Sequence, residues 1–290
     1  WANMSETDNV SVPSTVTSLV ITQGFTSELN ISHISDWNLV GLPLDVEDNS
    51  VTTLFPSSLA NTLFSYDGSY ALEANLTLGD GYWLRFSDEG SSTITGYPVS
   101  EVTVFVSDGW NLISGISETG YISDPDGIII PNTLFEFSNG YNETDHLSPG
   151  NGYWVRANAY GNITVTNTAG TARITSFNDD TLGEANTATF TNSKGHSMAL
   201  YFGVSVSEED ILSYSLPPVP PSGAFDVRYS DHYRVTDETG TILVQNEDYP
   251  LTVSYEIRQN LEEGYEWVLV NDITGSEVVL TGGNTIEITD

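Results

Sequence analysis

A tandem repeat is the feature of this sequence that most constrains its fold. Residues 61–64 (Asn-Thr-Leu-Phe) recur as residues 132–135, and residues 81–83 (Gly-Tyr-Trp) recur as residues 152–154, both at an offset of 71. Upstream, the Trp-Asn-Leu of residues 37–39 recurs at 110–112 with an offset of 73, which indicates a two-residue insertion between the anchors. Three motifs that recur in one order predict two copies of one structural unit.

Each copy has the sequence pattern of β structure. Apolar runs flank Asp67-Gly68 in the first copy and Asn139-Gly140 in the second, and these dipeptides are typical of tight hairpin turns. The Gly-Tyr-Trp motif opens a short apolar run that predicts a strand. Sustained helical periodicity is absent from both copies.

The pattern changes after about Thr168, where short apolar runs alternate with turn residues. Residues 216–221 (Leu-Pro-Pro-Val-Pro-Pro) predict an extended connection that lies outside any central strand. Several short strands at this spacing predict a β-sandwich. We therefore expect an all-β fold, two tandem β repeats followed by a β-sandwich-like domain, with the following limits: an N-terminal strand or linker over 1–34, repeats over 35–100 and 101–168, and the sandwich over 169–290.

Charge excludes several partner classes. The chain carries 40 Asp+Glu against 7 Lys+Arg, a formal net charge of −33, and Lys194 is its single lysine. Such a chain repels phosphate backbones and anionic lipids, so we expect no nucleic-acid partner. No apolar run is long enough to span a bilayer, and without cysteine there are no disulfides or thiolate metal sites. The acidity suits a salty or calcium-rich exterior, and simple solubility explains it equally well.

The N-terminus does not resemble a signal peptide. Trp1-Ala2-Asn3-Met4 has neither a basic region nor an apolar one. We expect the chain to be a piece of a longer protein.

Two segments together resemble a known family. Residues 109–114 (Gly-Trp-Asn-Leu-Ile-Ser), followed by 149–155 (Pro-Gly-Asn-Gly-Tyr-Trp-Val), resemble a repeat of large secreted bacterial surface proteins. The region around residues 198–228 is similar to the module that follows such repeats, ahead of the C-terminal sorting domain of type IX secretion substrates. This resemblance implies an extracellular or cell-surface location and no catalytic residues. The sorting domain itself is missing from the sequence.

The sequence contains no catalytic signature. Gly-x-Ser-x-Gly, His-Glu-x-x-His and Gly-x-x-x-x-Gly-Lys are all absent. The histidines are scattered with no partner at ligand spacing, and they are His33, His146, His196 and His232. We therefore expect a protein that is not an enzyme.

The adjacent aromatic residues of the repeats are the first binding candidates. On a strand, Tyr82 and Trp83 point to opposite faces, as do Tyr153 and Trp154, so one ring of each pair can be core while the other lies on a surface. One hypothesis is a sugar-binding platform made by these four residues. The alternative is that the repeat tryptophans, Trp37 and Trp110 included, pack the cores of the repeats.

Calcium and glycosylation are the other candidate features. Oxygen ligands for calcium occur in turn-like stretches at Asp124, Asp126, Asp179, Asp180 and Glu184, although local turn hydrogen bonds also explain them. Asp180-Thr181-Leu182 resembles an O-glycosylation acceptor of bacteria that use type IX secretion, with Thr181 as the modified residue.

Together these observations predict a non-enzymatic structural or adhesive module. Its expected partners are glycans, other surface proteins or copies of itself. It requires no cofactor, although calcium remains an option. The alternative function is a carbohydrate-binding module attached to a secreted hydrolase.

Overall fold

The structure is a computed structural model that describes residues 25–168, 181–259, 261 and 263–289. Its regular structure is almost entirely β, arranged in several separate sheets, which confirms the all-β prediction. The helices of the described residues are single turns: α1 Val51–Leu54, α2 Thr181–Glu184 and the 3-10 helix Ile211–Tyr214. None of them is long enough to cross a membrane.

The first repeat is a sandwich of a three-stranded and a four-stranded sheet. Its strands are β1 Ser27–His33, β2 Asp36–Gly41, β3 Leu44–Asp45, β4 Phe64–Tyr66, β5 Tyr70–Leu72, β6 Gly81–Phe86 and β7 Gly90–Pro98. The strand orders are β1-β7-β3 and β2-β6-β4-β5. The repeat therefore begins before the predicted limit at residue 35. Strand β1 pairs with β7 along its whole length and is part of the unit, not a linker to it.

The second repeat has the same topology. Its strands are β8 Glu101–Val106, β9 Gly109–Ser114, β10 Tyr121–Ser123, β11 Phe135–Phe137, β12 Tyr141–Glu143, β13 Gly152–Ala157 and β14 Gly161–Thr166. The orders β8-β14-β10 and β9-β13-β11-β12 match those of the first repeat strand for strand. Both hairpins predicted from the turn dipeptides are present, as β4–β5 and β11–β12.

Each repeat has its own core between its two sheets. In the first repeat this core contains Leu44, Phe55 and Tyr82, and in the second it contains Leu147 and Tyr153. The side chains alternate along the strands, so every second residue of a four-stranded sheet points into this core. The intervening residues point to the opposite face, where the two repeats meet.

The third domain is described from α2 onward, and its strands are arranged differently from those of the repeats. Its strands are β15 Asn186–Thr191, β16 Ser197–Phe202, β17 Asp226–Tyr229, β18 Val235–Thr236, β19 Ile242–Gln245, β20 Leu251–Glu256, β21 Trp267–Val270, β22 Glu277–Leu280 and β23 Gly283–Ile288. A five-stranded sheet has the order β18-β16-β15-β20-β23, and β17–β19 and β21–β22 form two-stranded sheets. Strands β15 and β20 alternate buried and partly exposed residues, as a one-sided sheet requires.

Candidate functional site

The aromatic residues of the repeat motifs meet at one junction. Trp83 and Trp154 are both fully buried and belong to a single hydrophobic cluster that also includes residues of the third domain. Their neighbours in sequence, Tyr82 and Tyr153, point the other way into the separate cores of the two repeats. The prediction that adjacent rings lie on opposite faces is therefore confirmed, and both faces are buried.

The two repeats pack against each other with approximate twofold symmetry. The ring of Trp83 lies edge-on to Phe137 with centroids 4.8 Å apart, and the ring of Trp154 lies edge-on to Tyr66 at 4.9 Å. Phe137 occupies in the second repeat the position of Tyr66 in the first, so each contact is the counterpart of the other. Edge-to-face pairs at this distance are favourable beyond the area they bury.

Backbone contacts obey the same reciprocity. Gly41 N–H donates to the Gly150 carbonyl at 2.9 Å, and Ser114 N–H donates to the Gly79 carbonyl at 2.9 Å. These four residues are two equivalent pairs, one residue of each pair coming from each repeat. An interface in which each half offers the same patch is isologous, as in a symmetric dimer. The repeats are thus an internal dimer within one chain.

Close backbone approach accounts for the glycine of the Gly-Tyr-Trp motif. A Cβ atom at Gly81 would lie 2.3 Å from the Ile113 carbonyl oxygen, and one at Gly152 would lie 2.8 Å from that of Val40. Any side chain there would push the two repeats apart. The glycine is therefore required by the interface between the repeats.

The asparagine of the Trp-Asn-Leu motif closes a turn. Asn38 Oδ1 accepts from the Ile34 N–H at 3.0 Å, while its Nδ2 donates to the carbonyls of Ile34 and Asp36 at 2.9 Å. Asn111 makes the same contacts with Ser107 at 2.8 Å, and with Gly109 at 3.0 Å. Each amide thus satisfies backbone groups that are left unpaired in the turn between the first strand of one sheet and the first strand of the other.

Hydroxyl groups of the other motifs are also used internally. Tyr82 OH accepts from the Thr77 N–H at 3.0 Å, and Tyr153 OH accepts from the Ser148 N–H at 2.7 Å. In the second Asn-Thr-Leu-Phe motif, Thr133 Oγ1 donates to the Ile130 carbonyl at 2.6 Å. These three hydroxyl groups each satisfy the backbone of their own repeat.

The proline-rich segment of the third domain covers this junction. Tyr70 OH donates to the Val219 carbonyl at 3.0 Å, and Tyr141 OH, its equivalent in the second repeat, donates to the Pro218 carbonyl at 3.1 Å. The Trp37 indole N–H donates to the Ser222 carbonyl at 3.1 Å. Because proline lacks an N–H, this segment offers mostly acceptors, and both repeats supply the donors.

A buried ion pair supports the segment from the other side. Arg228 Nη2 donates to Asp226 Oδ1 at 2.7 Å, and Arg228 Nη1 donates to the Pro217 carbonyl at 2.6 Å, with both side chains buried. Burial opposes the charge on Arg228, but the hydrogen bond and the attraction of Asp226 raise its pKa. Breaking such a pair by removing one partner leaves an uncompensated charge and is strongly destabilising.

The tyrosines at the junction remain protonated donors. Burial raises the pKa of Tyr70, and it raises that of Tyr141 well above the usual value. Both phenols therefore keep the proton that each donates to the proline-rich segment across the physiological pH range.

Burial contradicts the proposed sugar-binding platform. Trp83, Trp154 and Tyr153 have no exposed surface, and Tyr82 is 3% exposed. The expectation that one ring of each pair lies on a surface is wrong, because the partner repeat and the third domain cover the second face of each sheet. These residues form the core, which agrees with the alternative interpretation of the repeat tryptophans.

The predicted calcium residues that the structure describes belong to no potential metal-binding group. The Asp124 carboxylate accepts from the backbone N–H groups of Ile128 at 3.1 Å and Ile129 at 2.8 Å, so it closes its own turn. Asp126 is exposed beside it. Asp179 and Asp180 lie outside the described residues, and the part of the chain that is described contains no group of three or more His, Asp or Glu that could hold a metal ion.

The remaining candidates lie at the start of the third domain. Thr181 is the first residue of α2 and is partly buried, and its modification stays a prediction. Glu184 ends the same helix with its side chain exposed, and its backbone carbonyl accepts from Gln259 Nε2 at 2.9 Å.

The residues that sequence reasoning missed are those that attach the third domain. Arg228, Asp226 and the carbonyls of residues 217–222 carry no motif. The recurrence of Tyr70 at Tyr141 was the available signal, since a tyrosine kept in both repeats points to a common contact.

Comparisons with known protein families, curated proteins and solved structures find no match for this chain. The protein is therefore classified by its architecture alone, as an all-β protein of β-sandwich-like units.

Proposed function

We propose that this chain is a rigid, non-enzymatic structural module of an extracellular or cell-surface protein. The observation that carries the proposal is the junction itself, where hydroxyls of both repeats and the Trp37 indole bind one segment of the third domain. Contacts from both repeats to one segment of the third domain oppose independent motion of the three units. A locked assembly of this kind suits a part that spaces or displays other domains.

The use of the motif residues supports the same role. The residues shared by the two repeats serve hydrogen bonds and packing inside the assembly, and a ligand would have to displace those contacts to reach them. Catalytic and binding residues more often occupy loops presented by a scaffold. The recurring residues of this chain build the scaffold.

Composition supports the extracellular part of the proposal. A net charge of −33 with no cysteine suits a highly solvated surface outside the cell, and the resemblance of the repeats to those of secreted bacterial surface proteins agrees with it. The partners proposed are other surface proteins or further copies of the chain.

Distances between spin labels test the rigidity. Because the chain has no cysteine, Ser91→Cys with Thr285→Cys labels the first repeat and the third domain specifically, and both positions are exposed. We expect one narrow distance distribution. The pair Ser91→Cys and Thr103→Cys reports on the two repeats alone and serves as the control.

A loosening variant sharpens the test. The double substitution Tyr70→Phe/Tyr141→Phe removes both hydroxyls that bind the proline-rich segment while keeping the rings. It should broaden the distribution for the first label pair and leave the control pair unchanged. A broad distribution in the unsubstituted protein would exclude a rigid spacing role.

A further inference from the structure

An open groove of about 430 Å³ lies beside β3 and β7 of the first repeat. Strand β7 forms one side, and the loop from Asp45 to α1 forms the other. The volume falls within the range of small-molecule sites, roughly 300–1,000 Å³. Buried aliphatic side chains, Leu54 and Ile94, line its deeper part.

An aromatic ring and a carboxylate stand side by side in this groove. Tyr97 and Asp45 are directly opposite each other in the antiparallel β3–β7 pair, so their Cβ atoms lie about 4.5–5.5 Å apart on one face. Tyr97 is 37% exposed, and Asp45 is exposed. A ring face flanked by a hydrogen-bond acceptor suits a ligand that is apolar on one face and hydroxylated at its edge.

Further polar groups continue along the strand. Thr93, Thr95 and Tyr97 are alternate residues of β7 and all are exposed, so they form a row about 13 Å long. The Thr93 hydroxyl donates to Asn30 Oδ1 at 2.7 Å, whereas the Thr95 hydroxyl makes no hydrogen bond with the described residues. A row of this length follows more than one ring of an extended ligand.

The carboxylates of the groove separate into two kinds. Asp48 is committed to the loop, since it accepts from the Ser50 N–H at 3.0 Å and the Thr53 hydroxyl at 2.7 Å. The carboxylates of Asp45 and Glu47 make no hydrogen bond or ion pair with other described residues. They belong to no potential metal-binding group in the described chain, so they remain free acceptors.

The second repeat lacks the tyrosine of this groove. Thr168 stands at the position of Tyr97, and β10 pairs with β14 over three residues where β3 pairs with β7 over two. The Asp124 carboxylate in the corresponding loop is already bound to backbone N–H groups. The exposed tyrosine beside a carboxylate without an internal partner is therefore a feature that the first repeat does not share with the second.

We propose that this groove binds a neutral oligosaccharide. Tyr97 stacks on the apolar face of a sugar ring, Asp45 and Glu47 accept hydrogen bonds from its hydroxyl groups, and Thr95 contacts the next ring. The net charge of −33 disfavours acidic glycans, because they would approach against a repulsive potential. This site is independent of the rigid junction, so the label distances described above are unaffected by its success or failure.

Affinity electrophoresis of the full chain tests the site. The probes are soluble mixed-linkage β-glucan, arabinoxylan and galactomannan, with polygalacturonate as the acidic comparison. We expect at least one neutral polysaccharide to retard the protein and polygalacturonate to have no effect. Tyr97→Thr, which installs the residue of the second repeat, should weaken that retardation at least tenfold, and so should Asp45→Asn/Glu47→Gln.

Matched controls separate the groove from general surface effects. Tyr160→Ala removes a 77% exposed tyrosine from the second repeat, and Glu101→Gln/Glu277→Gln makes the same charge change elsewhere. Both should bind as the unsubstituted protein does. Melting curves report folding, and if Tyr97→Thr does not fold, the carboxylate pair decides the outcome. Absence of retardation by all neutral probes, or unchanged binding in the folded groove variants, would overturn the proposal.

Discussion

The two repeats share a strand order, and their cores are built alike, yet their surroundings differ. The equivalent residues Asn38 and Asn111 close equivalent turns, and Trp83 and Trp154 are equally buried. What the two copies have in common is therefore what the internal dimer needs. Most of the differences discussed below lie at the junction with the third domain or on the surface, and one, Gly41 against Ser114, lies at the contact between the two repeats.

Three differences stand out in this comparison. Trp37 is buried under the third domain, whereas its equivalent Trp110 is partly exposed. Asp36 pairs with Arg85 at 2.7 Å, whereas Gly109 stands at the equivalent place beside Arg156. At the approximate twofold axis, Gly41 faces Ser114. Each difference can be tested by exchanging a residue between the copies.

The largest loss of stability is expected from substitutions at positions where the two repeats have the same buried residue. Trp83→Ala and Trp154→Ala should each lower the free energy of unfolding by about 3–5 kcal/mol, because each removes a fully buried ring from the shared core. Urea unfolding monitored by circular dichroism measures both. If the free energies of unfolding lost by the two variants differ by more than about 2 kcal/mol, the width of the expected range, the two halves of the junction are not equivalent. Tyr160→Ala, at an exposed position, is the control and should cost little.

The next largest loss of stability is expected at the twofold axis, where the two repeats carry different residues. A Cβ atom at Gly41 would lie 2.2 Å from the Ser114 Cβ, so Gly41→Ser should destabilise the protein by about 1–3 kcal/mol through overpacking. The exchange Gly41→Ser/Ser114→Gly keeps one side chain at the axis and should recover most of that loss. If the Gly41→Ser/Ser114→Gly variant is as unstable as Gly41→Ser alone, the steric clash does not involve Ser114, and the two positions do not face each other across the twofold axis.

Much of this architecture could be predicted from the recurring motifs, but the packing of the two repeats against each other and against the third domain could not. Alternation along the strand places Tyr82 and Trp83 on opposite faces, and the structure agrees. Whether the face of the sheet that carries Trp83 is exposed to solvent depends on contacts with Phe137. Because Phe137 is remote in sequence, no local sequence pattern predicts this burial. A strand was among the predictions for residues 1–34, but its place in the first repeat was not, since Ser27–His33 and Glu101–Val106 share an alternation and pair with the equivalent strands β7 and β14 but have no motif in common.

The groove was missed because its parts are ordinary taken singly. Tyr97 and Asp45 are separated by most of the first repeat, and only the pairing of β3 with β7 makes them neighbours. In the sequence, the aromatic residues that stand out are those that recur in both repeats. A ligand-binding residue that is present in only one copy cannot be found from recurrence, because the recurring residues are those that build the structure common to both repeats.

A smaller effect concerns the cover of the third domain. Trp37→Phe loses the indole hydrogen bond to the Ser222 carbonyl and should cost about 1 kcal/mol more than Trp110→Phe, whose ring is only partly buried. Thermal or urea unfolding of the two variants provides the comparison. Equal costs would mean that the Ser222 contact contributes nothing, and the proline-rich segment would then be held by the tyrosines and Arg228.

The smallest effect adds to the second repeat an ion pair that only the first has. Gly109 and Asp36 both have positive φ angles, 97° and 74°, and a Cβ atom at Gly109 would meet nothing within 4 Å, so Gly109→Asp fits the backbone that Asp36 already adopts. The new carboxylate lies beside Arg156, whose guanidinium stacks 5.9 Å from the centre of the Trp110 ring, as Arg85 stacks 5.7 Å from that of Trp37.

A double-mutant cycle with Arg156→Gln isolates the interaction between residues 109 and 156 from the added negative charge and from the cost of a side chain at positive φ. The coupling should be about 0.2–1 kcal/mol, the range for solvent-accessible pairs, and should match that of a cycle on Asp36 and Arg85. Both couplings should shrink between low salt and 1 M NaCl, where the Debye length is about 3 Å. A coupling present only in the first repeat would mean that the third domain, and not the Asp–Arg geometry, strengthens the natural pair.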